Sequence, residues 1–186
     1  MTSLQLTVSE ERELIEELQG QNTQKKAFER VVKMYSEPLY WQIRRMVSLH
    51  SDADDILQNT FLKAWMHLDQ FRAESKISTW LYRIAYNESV TFIKKYGNNI
   101  ESSDNTMELA NQIESDAYFD GDEMSVLFQA AVESLPAKQR MVFNLKYYDE
   151  MKYSQISDVL GTTIGTLKAS YHQAVKKIRL FLDKQE

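Results

Sequence analysis

The fold is decided by one stretch near the C-terminus, residues 154–182, which reads SQISDVLGTTIGTLKASYHQAVKKIRLFL. Its start predicts a short helix capped by Ser154, with an apolar inward face of Ile156, Val159 and Leu160. Gly161 predicts a turn before a longer helix. The apolar side chains of that helix fall on one stripe: Ile164, Leu167, Tyr171, Ala174, Val175, Ile178 and Leu182. Two helices joined by a glycine turn predict a helix-turn-helix unit.

The opposite face of the longer helix is small, polar and basic, with no acidic residue before Asp183. It carries Thr166, Ala169, Ser170, Gln173, Lys176 and Lys177. Lys168 and His172 flank this face, where they could reach phosphates. Such a face is typical of a helix that lies in the major groove of DNA. An ordinary amphipathic helix with a solvated polar face is the alternative interpretation.

Helical periodicity continues over most of the remaining chain, and only five glycines and two prolines interrupt 186 residues. This composition predicts an all-α protein. The expected helices run from a cap at Thr7 to Gly20, from about Thr23 to Val47 with a bend or break near Pro38, from a cap at Ser51 or Asp52 to Asp69, and from a cap at Thr79 to Gly97. Periodicity resumes near Glu123, and Pro136 suits the first turn of the next helix.

An acidic, polar segment divides the helical regions. Residues 101–125 contain eight Asp or Glu residues and no Lys or Arg. A composition rich in Asn, Ser and Asp is typical of a linker. We therefore predict two small helical domains joined by an acidic flexible linker. The predicted boundaries are residues 1–97 for the first domain, 98–122 for the linker and 123–186 for the second domain.

Composition also narrows the class of protein. The chain has no cysteine, which excludes a disulfide framework and a thiolate metal site. Its N-terminus lacks the pattern of a secretory signal, and no apolar run approaches the roughly 20 residues of a membrane span. The net charge is −5, but basic segments on both sides of the acidic one leave nucleic-acid binding open. We expect a cytoplasmic protein without membrane insertion.

A second notable stretch, DADDILQNTFLKAW at residues 52–65, begins with three carboxylates and then becomes apolar. On a helical wheel its core stripe is Leu57, Phe61, Ala64, Trp65 and Leu68. A second stripe combines a carboxylate, two amides and two apolar groups: Asp55, Gln58, Asn59, Leu62 and Met66. This mixture favours a protein interface over a solvated face. For Asp52, helix capping alone is the alternative.

A polar, weakly basic loop with aromatic residues follows. It and the next helix carry Arg72, Ser75, Lys76, Ser78, Thr79, Trp80, Tyr82, Arg83, Tyr86 and Asn87. Cations for phosphates, rings for stacking and an amide for base edges are what single-stranded DNA binding requires. The alternative is that Trp80, Leu81, Ile84 and Ala85, which share one face, are core residues.

An enzyme is a rival hypothesis, with His50, Asp54 and Asp55 as its candidate site. Zinc or magnesium would need further ligands that converge on the same point. The other histidines lie elsewhere in the pattern, and there is no Ser/His/Asp or glycine-loop signature. We therefore predict no catalytic residue, no metal and no cofactor.

Several stretches together resemble one protein family. Residues 135–178, LPAKQRMVFNLKYYDEMKYSQISDVLGTTIGTLKASYHQAVKKI, are similar to the promoter-binding C-terminal domain of bacterial extracytoplasmic-function (ECF) sigma factors. AFERVVKMYSEPLY, DADDILQNTFLKAWMHLDQF and STWLYRIAYN resemble the N-terminal domain of that group, in the same order. The four stretches cover just under half of the chain.

The resemblance implies a non-enzymatic subunit that binds core RNA polymerase, recognises the −10 and −35 promoter elements and promotes DNA opening. It implies core-binding roles for Asp54, Asp55, Gln58, Asn59, Phe61 and Leu62. It implies −10 contacts by Arg72, Ser75, Lys76, Ser78, Thr79, Trp80, Arg83 and Asn87, with Asn87 capturing a non-template base. It implies −35 contacts by Thr163, Thr166, Lys168, Ala169, Ser170, His172, Gln173, Lys176 and Lys177. An anti-sigma factor is a further expected partner.

The chain departs from the family in its second DNA-reading helix. The family often has Lys-Ser-Arg and a later Arg where this chain has Lys168, Ala169, Ser170 and Gln173. Arginine is the commonest reader of guanine, so we expect the upstream promoter element to differ, with Gln173 suited to adenine. A stand-alone regulator that uses only the helix-turn-helix is the second rival. That hypothesis leaves the stretch at residues 52–65 and the aromatic loop unexplained.

Overall fold

The computed structural model describes residues 6–96 and 123–184, which form two groups of α-helices. The segment predicted to be the linker, residues 98–122, lies outside the described residues. We refer to the described helices before the gap as the first domain and those after it as the second domain. Within both ranges the secondary structure is helical, as the composition predicts.

The first domain contains α1 (Val8–Gln19), α2 (Gln24–Arg44), α3 (His50–Met66) and α4 (Ile77–Tyr96), with a 3₁₀ turn at Leu68–Gln70. The predicted cap at Thr7 is confirmed. The Thr7 hydroxyl accepts from the backbone N–H of Glu10 at 3.3 Å, and the Glu10 carboxylate accepts from the Thr7 N–H at 2.8 Å. This reciprocal capping box satisfies two donors that the helix start would otherwise leave unpaired.

Of the bend or break predicted near Pro38, the break is wrong, since α2 runs through Pro38 without interruption. The bend stays a prediction. Proline removes one helical hydrogen bond. Tyr35, Leu39 and Ile43 are nevertheless buried on both sides of Pro38 in one core, and their packing holds the two halves in one helix.

Two predicted helix starts are also wrong. Leu49 is the N-cap of α3, which places Ser51 and Asp52 inside its first turn. The next helix, α4, begins at Ile77, before Thr79. Ile77 is fully buried, and its N–H donates to the Glu11 carboxylate at 3.0 Å. The Glu11 carboxylate from α1 thus accepts from a backbone N–H that, in many helices, is paired with the side chain of the N-cap residue.

The phase of α3 differs from the predicted core stripe. Ala53, Ile56, Thr60 and Ala64 are buried, whereas Leu57 and Phe61 are half-buried and Trp65 is 41% exposed. Leu68 of the predicted stripe is buried as well, and α3 packs against α2 and α4. Of the predicted stripe, Leu57, Phe61 and Trp65 lie toward the margin of this packing, which a pattern based on hydrophobicity alone cannot anticipate.

The second domain contains α5 (Glu123–Glu133), α6 (Ala137–Tyr147), α7 (Tyr153–Leu160) and α8 (Ile164–Leu182). Gly161 ends α7 with a positive φ of 60°, as the turn prediction requires. The predicted cap at Ser154 is wrong because Lys152 is the N-cap, and its N–H donates to the Gln155 side chain at 2.9 Å. Of the predicted α8 stripe, Leu167, Ala174 and Ile178 are buried, Tyr171 and Leu182 are half-buried, and Ile164 and Val175 are exposed.

The two domains pack against each other. Met46, at the corner after α2, is fully buried in a cluster with residues of α6, α7 and α8. Tyr82, Tyr86 and Ile93 of α4 lie against the same cluster. Helix α4 contacts both α6 and α7. The helix-turn-helix is therefore held next to the loop and helix that carry the predicted −10 residues.

Candidate functional site

One side of α3 forms an exposed face with mixed chemistry, made of Asp55, Gln58, Asn59, Leu62 and Met66. We call it the α3 face. All five residues are exposed, and Leu62 and Met66 expose 57% and 66% of their surface. The sequence predicts this stripe, and the structure places its members together. Charged, amide and apolar groups on one rigid helix form a surface suited to binding another protein.

Two of the six predicted core-binding residues are engaged within the domain. The Asp54 carboxylate lies 3.1 Å from Nε2 of His50, and the Tyr40 hydroxyl contacts the other ring nitrogen. Phe61 packs edge-on against Phe28, with ring centroids 6.4 Å apart. The enzyme hypothesis finds no support in this His–Asp pair. Within the described residues no cluster of three His, Cys, Asp or Glu side chains could hold a metal ion.

Asp52 also belongs to this end of α3, but its surroundings differ from those of the α3 face. It is half-buried, and burial raises the pKa of its carboxyl, which the charge of Asp55 raises further and Arg44 opposes. The opening carboxylates of this stretch thus divide into an exposed one, Asp55, and two that interact mainly within the domain.

Sequence reasoning missed a groove beside the α3 face. Half of its lining is aromatic and the rest is a leucine and two charged residues: Lys25, Phe28, Glu29, Phe61, Leu62 and Trp65. The groove has a volume of about 520 Å³. The rings of Phe28 and Trp65 are 5.1 Å apart, so Trp65 forms one wall of the groove. The helical wheel assigns Trp65 to the core, and only the packing of α2 against α3 reveals it as surface.

The predicted −10 residues lie on the loop before α4 and on the first turns of α4. Arg72, Lys76, Arg83 and Asn87 are exposed, while Ser75, Ser78, Thr79 and Trp80 are half-buried. Trp80 packs on Phe71, with ring centroids 5.0 Å apart, and both belong to the core of the first domain. The loop and the start of α4 therefore expose cationic and hydroxyl side chains above the packed rings of Phe71 and Trp80.

Five of these residues line a cleft of about 1360 Å³ between the domains. They are Ser75, Lys76, Ser78, Thr79 and Arg83. On the opposite side the cleft is lined by the second domain, including Asp149 and Asp158. Arg83 reaches across it and donates from Nε to the backbone carbonyl of Val159 at 3.2 Å, and from a terminal nitrogen to the carbonyl of Asp158.

The predicted −35 residues lie on the solvent side of the helix-turn-helix. All are exposed except Ser170, which is half-buried. Thr163 caps α8, its hydroxyl accepting from the N–H of Thr166 at 3.3 Å. Lys168 lies over the ring of Tyr153, 6.0 Å from its centroid. Thr163 thus has a structural role in addition to the one predicted for it.

Comparisons with known proteins agree with this architecture. The family model of Sigma-70 region 2 matches residues 31–98, and that of Sigma-70 region 4 matches residues 125–178. The ECF RNA polymerase sigma factor SigW of Bacillus subtilis is 32% identical over 163 residues, which cover 82% of this chain and 87% of SigW. The ECF RNA polymerase sigma-E factor of Escherichia coli is 30% identical over 168 residues, which cover 85% of this chain and 87% of that protein.

Two solved structures have the same fold. One is the sigma factor RpoE in complex with the anti-sigma factor NepR from Bartonella quintana, with a TM-score of 0.63 and 27% identity over 85% of this chain and 98% of that one. The other is CnrH in complex with the cytosolic domain of CnrY, with a TM-score of 0.67 over 95% of this chain and 99% of that one. At 22% identity, the second likeness concerns the fold alone.

A region 2 bundle followed by a region 4 helix-turn-helix defines the class as sigma factors of the sigma-70 type. Within that class, the chain belongs to the ECF group. It is therefore a non-catalytic initiation factor that binds core RNA polymerase and directs it to promoter DNA. Among the described helices, none is both long and apolar enough to cross a membrane.

Proposed function

We propose that three surfaces have separate roles in initiation: the α3 face, the loop before α4 with the exposed side of α4, and the exposed face of α8. In this proposal the α3 face is the main docking site for core RNA polymerase. The observation that carries this proposal is the exposure of Leu62 and Met66 beside a carboxylate and two amides. Large apolar side chains that remain open on a rigid helix favour a protein partner. A basic, partly apolar surface of the polymerase would complement the Asp55 carboxylate and these side chains.

The loop before α4 and the exposed side of α4 bind the −10 element in this proposal. Arg72, Lys76 and Arg83 provide charge for phosphates, which supplies affinity without sequence preference. Asn87 provides a donor and an acceptor for the edge of an unstacked base. Ser75, Ser78 and Thr79 add hydroxyls along the same path, while the half-buried Trp80 supports the loop from below.

The exposed face of α8 reads the −35 element in the same proposal. Ala169, Ser170 and Gln173 face the bases, where Gln173 favours adenine and Ala169 allows close approach. Lys168, Lys176, Lys177 and His172 contact phosphates on either side. Because this face has no arginine, a larger share of its affinity for DNA comes from contacts between lysine side chains and phosphates, which do not depend on sequence.

The family supports a proposal for the cell compartment and for the regulation of the chain. We expect it to act in the cytoplasm, where core polymerase and promoter DNA are found. The Bartonella quintana relative is a sigma factor in complex with an anti-sigma factor, which supports an anti-sigma partner for this chain as well.

The docking proposal is tested by titrating labelled protein with purified core RNA polymerase. We expect the double variant Asp55→Ala, Gln58→Ala to bind roughly tenfold more weakly, or ~1.4 kcal/mol. The double variant Asp69→Ala, Gln70→Ala removes the same two chemistries from exposed positions outside the α3 face and serves as the matched control. Circular dichroism should show unchanged helix content in both. Equal affinities for the two variants would refute the docking site.

A further inference from the structure

Helix α1 precedes the segment that the Sigma-70 region 2 model matches, residues 31–98, and none of the three proposed surfaces includes it. It is nevertheless firmly attached to the first domain. Leu14 and Leu18 are almost fully buried in the core, and an ion pair between Glu17 and Arg30 joins α1 to α2. A capping box fixes the start of the helix. A helix held in this way can position the groups that it carries.

One carboxylate lies on the core side of α1. Glu11 precedes Leu14 and Leu18 by three and seven residues, a spacing that places all three on one helical face. Glu11 is half-buried, and its carboxylate accepts from the backbone N–H of Ile77 at 3.0 Å. Burial, with a smaller contribution from the charge of Glu11, raises the pKa of Tyr35 to about 12, so the phenol near this carboxylate is neutral. A charged acceptor makes a stronger hydrogen bond than a neutral one.

The donor of this bond lies at the end of the loop before α4, residues 72–76, which we call the −10 loop. Ile77 is fully buried, and at the other end Phe71 is buried and packs on Trp80, with ring centroids 5.0 Å apart. Inside the loop, Ala73 has a φ of 57°, in a region that residues other than glycine rarely adopt. Such a backbone persists only where the surrounding structure holds it. The conformation of the −10 loop therefore depends on how its two ends are fixed.

The bond also lies beside side chains proposed to bind the −10 element. Four of them line the same cleft as Glu11: Ser75, Lys76, Ser78 and Thr79. Two of the four precede Ile77 in the chain and two follow it. Loss of the bond would free the junction between the loop and α4, and all four side chains would shift with it. Binding groups of this kind need a supporting shell that fixes their position.

We propose that Glu11 is a positioning residue for promoter opening. Its carboxylate anchors the end of the −10 loop to α1 and so holds the loop in the conformation that binds DNA. The functional half of this inference rests on the −10 role proposed for the loop. The anchor itself does not, and the two are measured separately.

The anchor is tested by amide hydrogen exchange at Ile77, followed by NMR on the full chain. We expect exchange at least about tenfold faster in Glu11→Ala, because the donor loses a charged acceptor. Glu11→Gln keeps a side-chain oxygen as acceptor and should stay within about threefold of the unmodified chain. Glu13→Ala removes an exposed carboxylate from the same helix and should exchange like the unmodified chain.

The functional half is tested by permanganate reactivity of −10 thymines, with core RNA polymerase saturated by each variant. We expect Glu11→Ala to lower the reactivity at least about threefold, since the lost bond is charge-assisted. Its affinity for core polymerase should be unchanged, because the α3 face is untouched. Glu11→Gln should restore opening, and opening by Glu11→Gln as low as that of Glu11→Ala would contradict the role of the bond.

Two further variants complete the test. If Glu11→Ala loses helix content by circular dichroism, Glu11→Asp replaces it, since a side chain one methylene shorter keeps the charge but not the reach. Lys76→Ala changes the −10 loop directly and should lower opening.

Equal exchange at Ile77 in folded Glu11→Ala and in Glu13→Ala would overturn the anchor. If Lys76→Ala lowers opening and Glu11→Ala does not, the positioning role is wrong while the proposed function of the loop stands. If neither variant lowers opening, the −10 role proposed for the loop is wrong, and the positioning role is wrong with it.

Discussion

At the scale of single residues, Asn87 is the predicted DNA contact with the most specific proposed role, which is binding an unstacked base through its exposed amide. It lies one helical turn beyond Arg83 on α4. A side-chain amide can donate to and accept from one base edge, and such a contact contributes roughly 1–3 kcal/mol of discrimination.

We expect Asn87→Ala to slow promoter opening roughly tenfold or more while leaving the affinity for core polymerase unchanged, because the lost contact is made only to an unstacked base. Opening is measured by permanganate reactivity of thymines in the −10 region. Thr91→Ala, one turn further along α4 and bonded only within its own helix at 2.8 Å, is the matched control. Equal opening by Asn87→Ala and Thr91→Ala would contradict the base-capture role.

The exposure of a residue could be predicted where it depends only on residues nearby in the sequence. The exposure of Asp55, Gln58 and Leu62 follows from the helical period, a property of neighbouring residues. The half-exposed position of Trp65 depends on how closely α2 approaches α3. No local pattern contains that information, so the groove lined by Phe28 and Trp65 could not be predicted.

At the scale of elements, glycine residues predict where helices end better than polar residues predict where helices begin. Gly20 and Gly161 end α1 and α7 as expected. Ser154 and Thr79 do not cap their helices, because donors at those starts are satisfied by Gln155 and by Glu11 from another helix. For α4, the cap is supplied by a distant helix and leaves no signature in the nearby sequence.

The turn of the helix-turn-helix offers a test with an internal control. An added methyl group meets no atom within 4 Å at either Gly161 or Gly165, so packing contributes to neither substitution. Gly161→Ala should destabilise the protein by about 1 kcal/mol because φ is +60° there. Gly165→Ala should stabilise it by up to about 0.5 kcal/mol because Gly165 is helical. Thermal denaturation should show Tm shifts of opposite sign, and shifts of equal sign would contradict this account of the turn.

At the scale of the whole molecule, the order of the two domains is visible in the sequence but their packing is not. Helical periodicity and the family resemblance identify a region 2 bundle and a region 4 helix-turn-helix. The burial of Met46 among residues of α6, α7 and α8 joins positions about a hundred residues apart. Only the structure brings Arg45 to Asp149 and Arg83 to α7.

The most direct test of the central claim is transcription in vitro from the organism's genomic DNA, with RNA 5′ ends sequenced. Core RNA polymerase is used alone, with this protein, or with its Asp55→Ala, Gln58→Ala variant. We predict a new set of 5′ ends that share upstream −10 and −35 sequences, that requires the protein and that is depleted with the variant at limiting concentration. The same 5′ ends with and without the protein would contradict its role as a promoter-specificity factor, and an undiminished set with the variant would contradict the α3 face as its docking site.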